Sequence, residues 1–369
     1  MERNQATELV HNLLRGMISQ NASDLFVTAG FPPAFKVDGK MTPVSSQVLT
    51  AQHTQELARS IMNDRQAAEF ESTHESNFAI NPPGIGRFRV NVFMQQQRVG
   101  MVLRTITTKI PSFEDLNLPP ILKEVVMTKR GLVILVGGTG SGKSTTLAAM
   151  IGHRNHNSYG HIITIEDPVE YQLPGVLQIP VNERKGLSFA RGLRSILRHD
   201  PDKIMIGEIR DAETAQIAVQ AALTGHLVFS TVHANNVFDV LGRFEHMQVD
   251  PYSLVSALNG IVAQRLVRVT CPHCAIDLPA DNGETLATRR RGQGCTECRG
   301  TGYRGRKAIG ECLLLDDELR EMIATRTPIR HIKEAARARG TRLLRESAEE
   351  LVRTGVTTLE EINRVTFAR

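Results

Sequence analysis

Apolar positions in the first third of the chain follow two different periods. They recur at helical spacing over 5–19 and 50–70, and they alternate as strands do over 22–41 and 87–106. Asp38-Gly39 predicts a hairpin turn between two of the short strands. The mixture predicts a small α+β domain over 1–106, and a polar, proline-containing linker over 107–120 follows it.

The remainder of the chain alternates short apolar runs with helical segments. A helix over about 120–129 leads into "GLVILVGG", and the runs "HIITIED", "KIMIGE" and "LVFSTV" come later. This alternation favours a mainly parallel sheet with helices on both faces, which is an α/β domain over 121–369. The segment 316–369 has a helical pattern, and Thr358 followed by Glu361 predicts a capping box for the last helix.

Composition narrows the class of protein. The 369 residues are 41% hydrophobic, enough to bury the cores of two globular domains. No run of 18 apolar residues predicts a membrane-spanning helix, and the N-terminus lacks the features of a signal peptide. We therefore expect a cytosolic protein, whose membrane role would be peripheral or through a partner. The net charge of +5 is mild, and the absence of Trp argues against a single-strand nucleic-acid binder.

A phosphate-binding loop stands between a predicted strand and a predicted helix. The segment "GGTGSGKST" fits G-x-x-x-x-G-K-[ST]. Glycines let backbone N–H groups converge on phosphate, Lys143 would reach the β- and γ-phosphates, and the Ser144 hydroxyl would bind Mg²⁺. The predicted nucleotide-binding residues are Gly137, Gly138, Thr139, Gly140, Ser141, Gly142, Lys143, Ser144 and Thr145.

Acidic residues follow two other predicted strands, and histidines flank a third. "KIMIGEIRD" ends in Glu208, a candidate to hold Mg²⁺ or its water. "TIEDPVEY" ends in a group of carboxylates that includes Glu166 and Glu170, although a solvated turn could also carry such a cluster. His226 and His233 flank the strand in "TGHLVFSTVH", where they could sense the γ-phosphate or be structural.

These four segments together resemble the Walker A, Asp box, Walker B and His box of the secretion ATPase superfamily, the motors of type II secretion and type IV pili. The resemblance extends over about residues 20–367. It implies a PAS-like N-terminal domain, a RecA-like ATPase domain, a homohexameric ring and an inner-membrane platform protein as partner. It also implies that Glu208 is the Walker B acid, that Glu170 polarises the attacking water, and that His226 and His233 form the His box.

The same resemblance implies that arginines of the first domain act on ATP. An ATP at a domain or subunit boundary needs cations from the other side to stabilise transition-state charge. "RFRVN" and "VLRTI" match the family segments that supply them, which implies this role for Arg89 and Arg104. The alternative for Arg89 and Arg104 is that they are outward-facing strand residues, and Arg87 and Arg98 are secondary candidates for the same role.

Four cysteines form a spaced pattern over 268–306. Cys271 and Cys274 are followed, twenty residues on, by Cys295 and Cys298. C-x₂-C-x₂₀-C-x₂-C in a cytosolic protein predicts a closed four-thiolate Zn²⁺ site, because a reducing compartment disfavours disulfides. Cys312 falls in an apolar run and is expected to be a buried thiol. The expected cofactors are thus ATP, Mg²⁺ and Zn²⁺.

The sequence leaves both directions of motor action open, the extension and the retraction of a pilus. The four cysteines resemble the assembly and export branch of the superfamily, whereas the first 110 residues resemble the retraction branch. Two other classes also remain: a RecA-like nucleic-acid translocase or DNA-transfer ATPase, and a metal-stabilised interaction module switched by ATP. The Asp and His boxes favour the secretion motor, which would contact no nucleic acid directly.

Overall fold

A computed structural model describes residues 2–37, 40–106, 110–116, 118–278 and 288–366. The chain folds as two compact units, Met1–Lys109 and Ile110–Arg369. The predicted Asp38-Gly39 turn lies outside the described residues. No helix within the described ranges is long and apolar enough to cross a membrane.

The first unit is an antiparallel sheet with helices against one face. Its strands follow the order β3-β2-β1-β6-β5-β4, and every pair is antiparallel. The segment 50–70 forms two helices because the Asn63 side chain accepts from the Gln66 N–H and starts a second one. The elements are α1 Arg3–Ser19, β1 Asp24–Thr28, β2 Ala34–Val37, β3 Lys40–Pro43, α2 Ala51–Ser60, α3 Asp64–Thr73, β4 Glu75–Ile80, β5 Arg87–Gln95 and β6 Arg98–Ile106.

Strand alternation separates the two faces of this sheet. In β5, Phe88, Val90 and Val92 are fully buried in the core that the helices cover. The residues between them point to the other face, because successive strand side chains alternate. The arginines predicted to act on nucleotide therefore lie on the face away from this core.

The second unit contains a seven-stranded sheet in the order β15-β12-β7-β11-β10-β8-β9. Its elements are α4 Ile121–Val126, β7 Gly131–Val136, α5 Lys143–Asn157, β8 Ile162–Glu166, β9 Leu177–Pro180, α6 Phe189–Ile196, β10 Lys203–Ile206, α7 Ala212–Leu223, β11 Leu227–Val232, α8 Asp239–His246, α9 Pro251–Ala257, β12 Leu258–Thr270, β13 Ala275–Asp277, β14 Arg290–Gly292, β15 Tyr303–Leu314, α10 Asp317–Ala324, α11 Ile329–Ala338, α12 Leu344–Arg353 and α13 Leu359–Val365.

This sheet is mixed, not purely parallel. The pairs from β12 to β9 are parallel, and the long edge strand β15 runs antiparallel to β12. The sequence pattern predicted the four strands β7, β8, β10 and β11. In β7, Leu132, Ile134 and Val136 enter one core and Val133 and Leu135 enter the other, so both faces are covered.

Four helices, α10 to α13, lie in the described part of the predicted C-terminal helical segment, and the capping of α13 differs from the prediction. Thr358 Oγ1 accepts from the Glu361 N–H at 3.2 Å, as a helix N-cap does. The Glu361 carboxylate does not return to Thr358. It lies fully buried and pairs with Arg268 of β12 and Arg364 of α13. The predicted capping box is half-formed because a tertiary ion pair takes its acid.

Candidate nucleotide-binding site and metal centre

The phosphate loop joins β7 to α5 at the carboxyl edge of the parallel strands. Gly137, Gly140 and Gly142 have φ angles of 157°, 75° and 88°, so the loop uses backbone conformations that favour glycine. The helix begins directly at Lys143, and no side chain caps its N-terminus. Its free N–H groups and its dipole therefore face the loop, as anion binding requires.

Lys143 lies folded over its own loop. Its Nζ donates to the carbonyls of Gly137 at 2.9 Å and Gly138 at 3.1 Å. Burial lowers the pKa of Lys143, and the charge of Glu208 opposes that effect. The ammonium is thus partly desolvated and bound to neutral carbonyls, which phosphate oxygens could replace as stronger partners.

A cavity of about 310 Å³ lies in front of this loop and collects most of the predicted side chains. Parallel strands end at one edge of a sheet, so the residues after β7, β8, β10 and β11 meet there. The lining includes Thr139, Gly140, Lys143, Ser144, Glu166, Asp167, Glu170, Glu208 and His233. The structure therefore brings together a phosphate loop, four carboxylates and one histidine.

Glu208 has one satisfied and one unsatisfied carboxylate oxygen. Its Oε1 pairs with Arg210, and its Oε2 lies 3.5 Å from His233 Nε2. That Oε2 is buried and has no hydrogen-bond partner among the described residues. Buried polar atoms normally have a hydrogen-bond partner. This oxygen is therefore suited to contact a cation or an ordered water when nucleotide is bound.

Two of the three carboxylates of the Asp box, Glu166 and Glu170, differ in environment. Glu166 is buried and accepts from Thr164 Oγ1 at 2.6 Å and Gln178 Nε2 at 2.9 Å. Burial raises the pKa of Glu166, while these hydrogen bonds act in the opposite direction. Glu170 is exposed within the lining of the cavity. Of the two, Glu170 has the accessible oxygens that an incoming water could reach.

His226 is not part of this cavity. It precedes β11 and His233 follows it, which separates the two by roughly 20 Å along the strand. The Nδ1 of His226 lies 3.0 Å from the Ala221 carbonyl at the end of α7. A structural contact accounts for this histidine within its own unit, and its predicted catalytic role stays a prediction.

Arg89 and Arg104 are direct cross-strand partners in the first unit. Arg104 Nε pairs with Asp24 Oδ1 at 2.7 Å, and Asp24 is buried whereas the Arg104 side chain is 66% exposed. Arg89 is exposed on β5. Like charges opposite each other destabilise a sheet, and the Asp24 carboxylate offsets this for the pair. Both guanidinium groups remain on an accessible surface.

Gln264 contacts the phosphate loop, and neither it nor its neighbour Arg265 was predicted from the sequence. Gln264 of β12 donates from Nε2 to the Ser141 carbonyl at 2.8 Å and accepts from Thr146 Oγ1 at 2.8 Å. Its neighbour Arg265 donates to the Asn235 carbonyl at 2.8 Å. The available signal was a glutamine inside the apolar run "IVAQRLV", where a buried amide requires partners.

The four spaced cysteines converge at the tip of β12 and β15. All four Sγ atoms lie within 4.8 Å of one another, with separations of 3.9 Å for Cys271–Cys295 and 3.7 Å for Cys274–Cys298 and Cys295–Cys298. A tetrahedral ion with Zn–S bonds of about 2.3 Å requires S–S separations of about 3.8 Å. The donor set thus fits such an ion.

Backbone amides donate hydrogen bonds to sulfur in the four-cysteine cluster. The N–H groups of Cys295 and Gly302 donate to the Cys298 sulfur at 3.1 and 3.3 Å, as amides do around metal-bound thiolates. Cys312 is half-buried against a core cluster of the second unit. Burial raises the pKa of Cys312 to about 12, so it stays a neutral thiol at physiological pH.

Known proteins resemble the chain over almost its full length. A family model described as Type II/IV secretion system protein matches residues 2–364. The chain is 51% identical over 264 residues to the type IV pilus ATPase PilU of Pseudomonas aeruginosa, and the match covers 69% of each protein. It is 37% identical to the type IV pilus assembly ATPase PilB of Thermus thermophilus, covering 98% of this chain and 43% of PilB.

A solved structure agrees with these matches. The crystal structure of the pilus retraction motor PilT with bound ADP superposes with a TM-score of 0.79 at 32% identity and covers 97% of each chain. The chain therefore belongs to the Type II/IV secretion system protein family, the family of the secretion and pilus motor ATPases.

Proposed function

We propose that the chain is a motor ATPase that drives a type IV pilus or a type II secretion pseudopilus. Its relatives carry the names of pilus and secretion ATPases, which supports this assignment. The motor would work as a homohexamer, would be cytoplasmic and peripheral at the inner membrane, and would act on a platform protein there. We propose no direct contact with nucleic acid.

The buried, unpartnered Oε2 of Glu208 is the observation that carries the ATPase mechanism. Ser144, exposed in the first turn of α5, and Glu208 would hold Mg²⁺, directly or through water. The bound ion would supply positive charge to the phosphate oxygens. His233 lies beside Glu208 and would hold a water or the γ-phosphate in place.

Lys143 and Glu170 would divide the remaining work. On nucleotide binding, the Lys143 ammonium would leave the two loop carbonyls and donate to phosphate oxygens, which carry more negative charge. Glu170 would accept a hydrogen bond from the attacking water, because its carboxylate is exposed within the cavity. The loop N–H groups would hold the phosphates in position for this attack.

The first unit would supply arginines to a nucleotide-binding site of this kind. We propose that it is PAS-like, supported by its antiparallel sheet with helices on one face. Arg89 and Arg104 would approach ATP held by an ATPase unit and stabilise charge on the transferred phosphate. Their accessible position on the face away from the core supports this role.

The four thiolates of Cys271, Cys274, Cys295 and Cys298 would hold Zn²⁺ as a structural ion. Their sulfur separations fit a closed tetrahedral site, which leaves no open coordination position for chemistry. The ion would tie the end of β12 to the start of β15. His273 would not be a ligand, since four sulfurs complete the set.

Two measurements test this function. Lys143→Ala and Glu208→Gln should each abolish ATP hydrolysis by the purified full chain, and rates equal to the wild type would contradict the site. A deletion strain of the source organism, scored for surface pili and secretion, tests the biological role. More pili would indicate a retraction motor, and fewer an assembly motor. Unchanged pili and secretion would refute the motor role.

A further inference from the structure

A buried amide side chain on the neighbouring strand β12 contacts the phosphate loop. Gln264 lies in the middle of β12 and is 4% exposed. Both polar atoms of its side-chain amide are hydrogen-bonded: Nε2 donates to the Ser141 carbonyl, and Oε1 accepts from Thr146 Oγ1. Ser141 belongs to the phosphate loop and Thr146 to the first turns of α5. One amide therefore bridges the loop and the helix that follows it.

Two glycines of the loop leave the space that this contact needs. A Cβ on Gly142 would lie 2.8 Å from Gln264 Nε2, and a Cβ on Gly137 would lie 2.6 Å from the Gln264 carbonyl oxygen. Real Cβ atoms do not approach other atoms this closely. The loop therefore packs directly on β12, with the Gln264 side-chain amide next to Gly142 and the Gln264 carbonyl next to Gly137.

Arg265 extends the contact to the loop after β11. Its Nη1 donates to the Gln264 carbonyl at 2.9 Å and its Nη2 to the Asn235 carbonyl at 2.8 Å. Asn235 lies two residues beyond His233, which lines the cavity. The carboxyl ends of β7 and β11 are thus tied together through consecutive residues of β12.

We propose that Gln264 is a positioning residue that holds the phosphate loop in its nucleotide-binding shape before nucleotide arrives. A nucleotide that binds a preformed loop does not have to order it, and affinity is higher as a result. The inference rests on ATP binding at this loop and not on the pilus role. Loss of the two hydrogen bonds should raise the Kd for both ADP and ATP roughly tenfold to hundredfold.

Asn259 provides a matched control on the same strand. Its Nδ2 donates to Thr128 Oγ1 at 3.0 Å and to the Arg130 carbonyl at 2.8 Å, at the opposite end of β7 from the phosphate loop. Gln264→Met and Asn259→Leu therefore each remove two hydrogen bonds from β12. Only the first removal touches the nucleotide site.

The test measures the Kd for fluorescent ADP and ATP analogues, the kcat and KM of ATP hydrolysis, and the thermal unfolding of the full chain. We expect Gln264→Met to raise Kd and KM at least tenfold, and Asn259→Leu to leave both within about twofold. Equal losses of stability with unchanged Kd in both variants would overturn the proposal. A wild type that bound no nucleotide would instead refute the proposed function.

A second pair of variants covers the case in which Gln264→Met fails to fold. Thr146→Val removes only the hydroxyl that donates to Gln264, whereas Thr146→Ser keeps it. Thr146→Val should weaken nucleotide binding about threefold to tenfold, and Thr146→Ser should restore affinity close to the wild type. Equal Kd values for the two variants would overturn the proposal.

Discussion

The ion-pair cluster around Glu361 is expected to fasten the last helix to the core of the ATPase unit. Its carboxylate is fully buried and accepts from the Arg268 N–H at 2.9 Å, from the Arg268 guanidinium, and from Arg364. Burial alone would raise the pKa of Glu361, but the hydrogen bonds from Arg364 and Arg268 lower it to about 2. The charged form is therefore strongly favoured in the folded protein.

The size of this effect follows from the pKa difference. An unfolded glutamate titrates near pH 4.3, and one pKa unit corresponds to about 1.4 kcal/mol, so Glu361 contributes about 3 kcal/mol to the free energy of unfolding. Because the folded pKa is depressed, this contribution is complete above about pH 5. It is lost as the pH falls through the folded value, and about 1 kcal/mol should remain at pH 3.

The substitution Glu361→Gln removes the charge and keeps the shape. We expect it to lower the free energy of unfolding by about 3 kcal/mol at pH 7, because two cations lose their buried partner. Hydrogen exchange of the peptide that covers Leu359–Val365 should become roughly a hundredfold faster, since local opening becomes easier by that free energy. Guanidinium unfolding at pH 7 and pH 3 gives the pH dependence.

Glu360→Gln is the matched control, because Glu360 is exposed on the same helix. It should change stability by no more than about 0.5 kcal/mol, as surface substitutions usually do. Equal losses for the two variants would refute the reasoning, and so would a deficit of Glu361→Gln that is as large at pH 3 as at pH 7.

Two further predictions concern the metal centre and the first unit. Cys298→Ser should release one Zn²⁺ per chain to a chromogenic chelator and lower the melting temperature, because the thiolates hold the tip of β12 and β15; an unchanged zinc content would contradict the assignment. Asp24→Asn should lower the stability of the first unit by about 1–3 kcal/mol, since Arg104 loses a buried partner at 2.7 Å. Arg89→Gln should leave that stability within about 0.5 kcal/mol when both variants are unfolded in urea, and a loss as large as that of Asp24→Asn would show that Arg89 is structural.

Local patterns predicted the elements whose signals lie within a few residues. The phosphate loop follows a run of apolar residues and precedes a helix, and its nine positions occupy the predicted place at the end of β7. The cysteine spacing predicted a four-sulfur cluster, which the Sγ separations confirm as a geometry. Both motifs are short, so their chemistry is contained in neighbouring residues.

Elements that depend on distant partners were missed or altered. The edge strand β15 was not predicted, since its pairing with β12 runs from Thr270–Tyr303 to Gly260–Leu314 and joins residues 33 to 54 positions apart. Glu361 was predicted to cap its own helix and instead pairs with Arg268, 93 residues away. The capping rule fails here because the buried Glu361 carboxylate accepts charge-assisted hydrogen bonds from two guanidinium groups, which are stronger than one from a neutral backbone N–H.

The sequence by itself determined the chemistry of this protein: a phosphate loop, acidic residues at strand ends and four thiolates, each set by residue type and spacing. Only the tertiary structure decided which of these residues meet. Parallel strands place Glu208 and His233 beside the phosphate loop and His226 at the other edge. Gln264 reaches that loop from a strand more than one hundred residues later, because hydrogen bonds depend on distance in space and not along the chain.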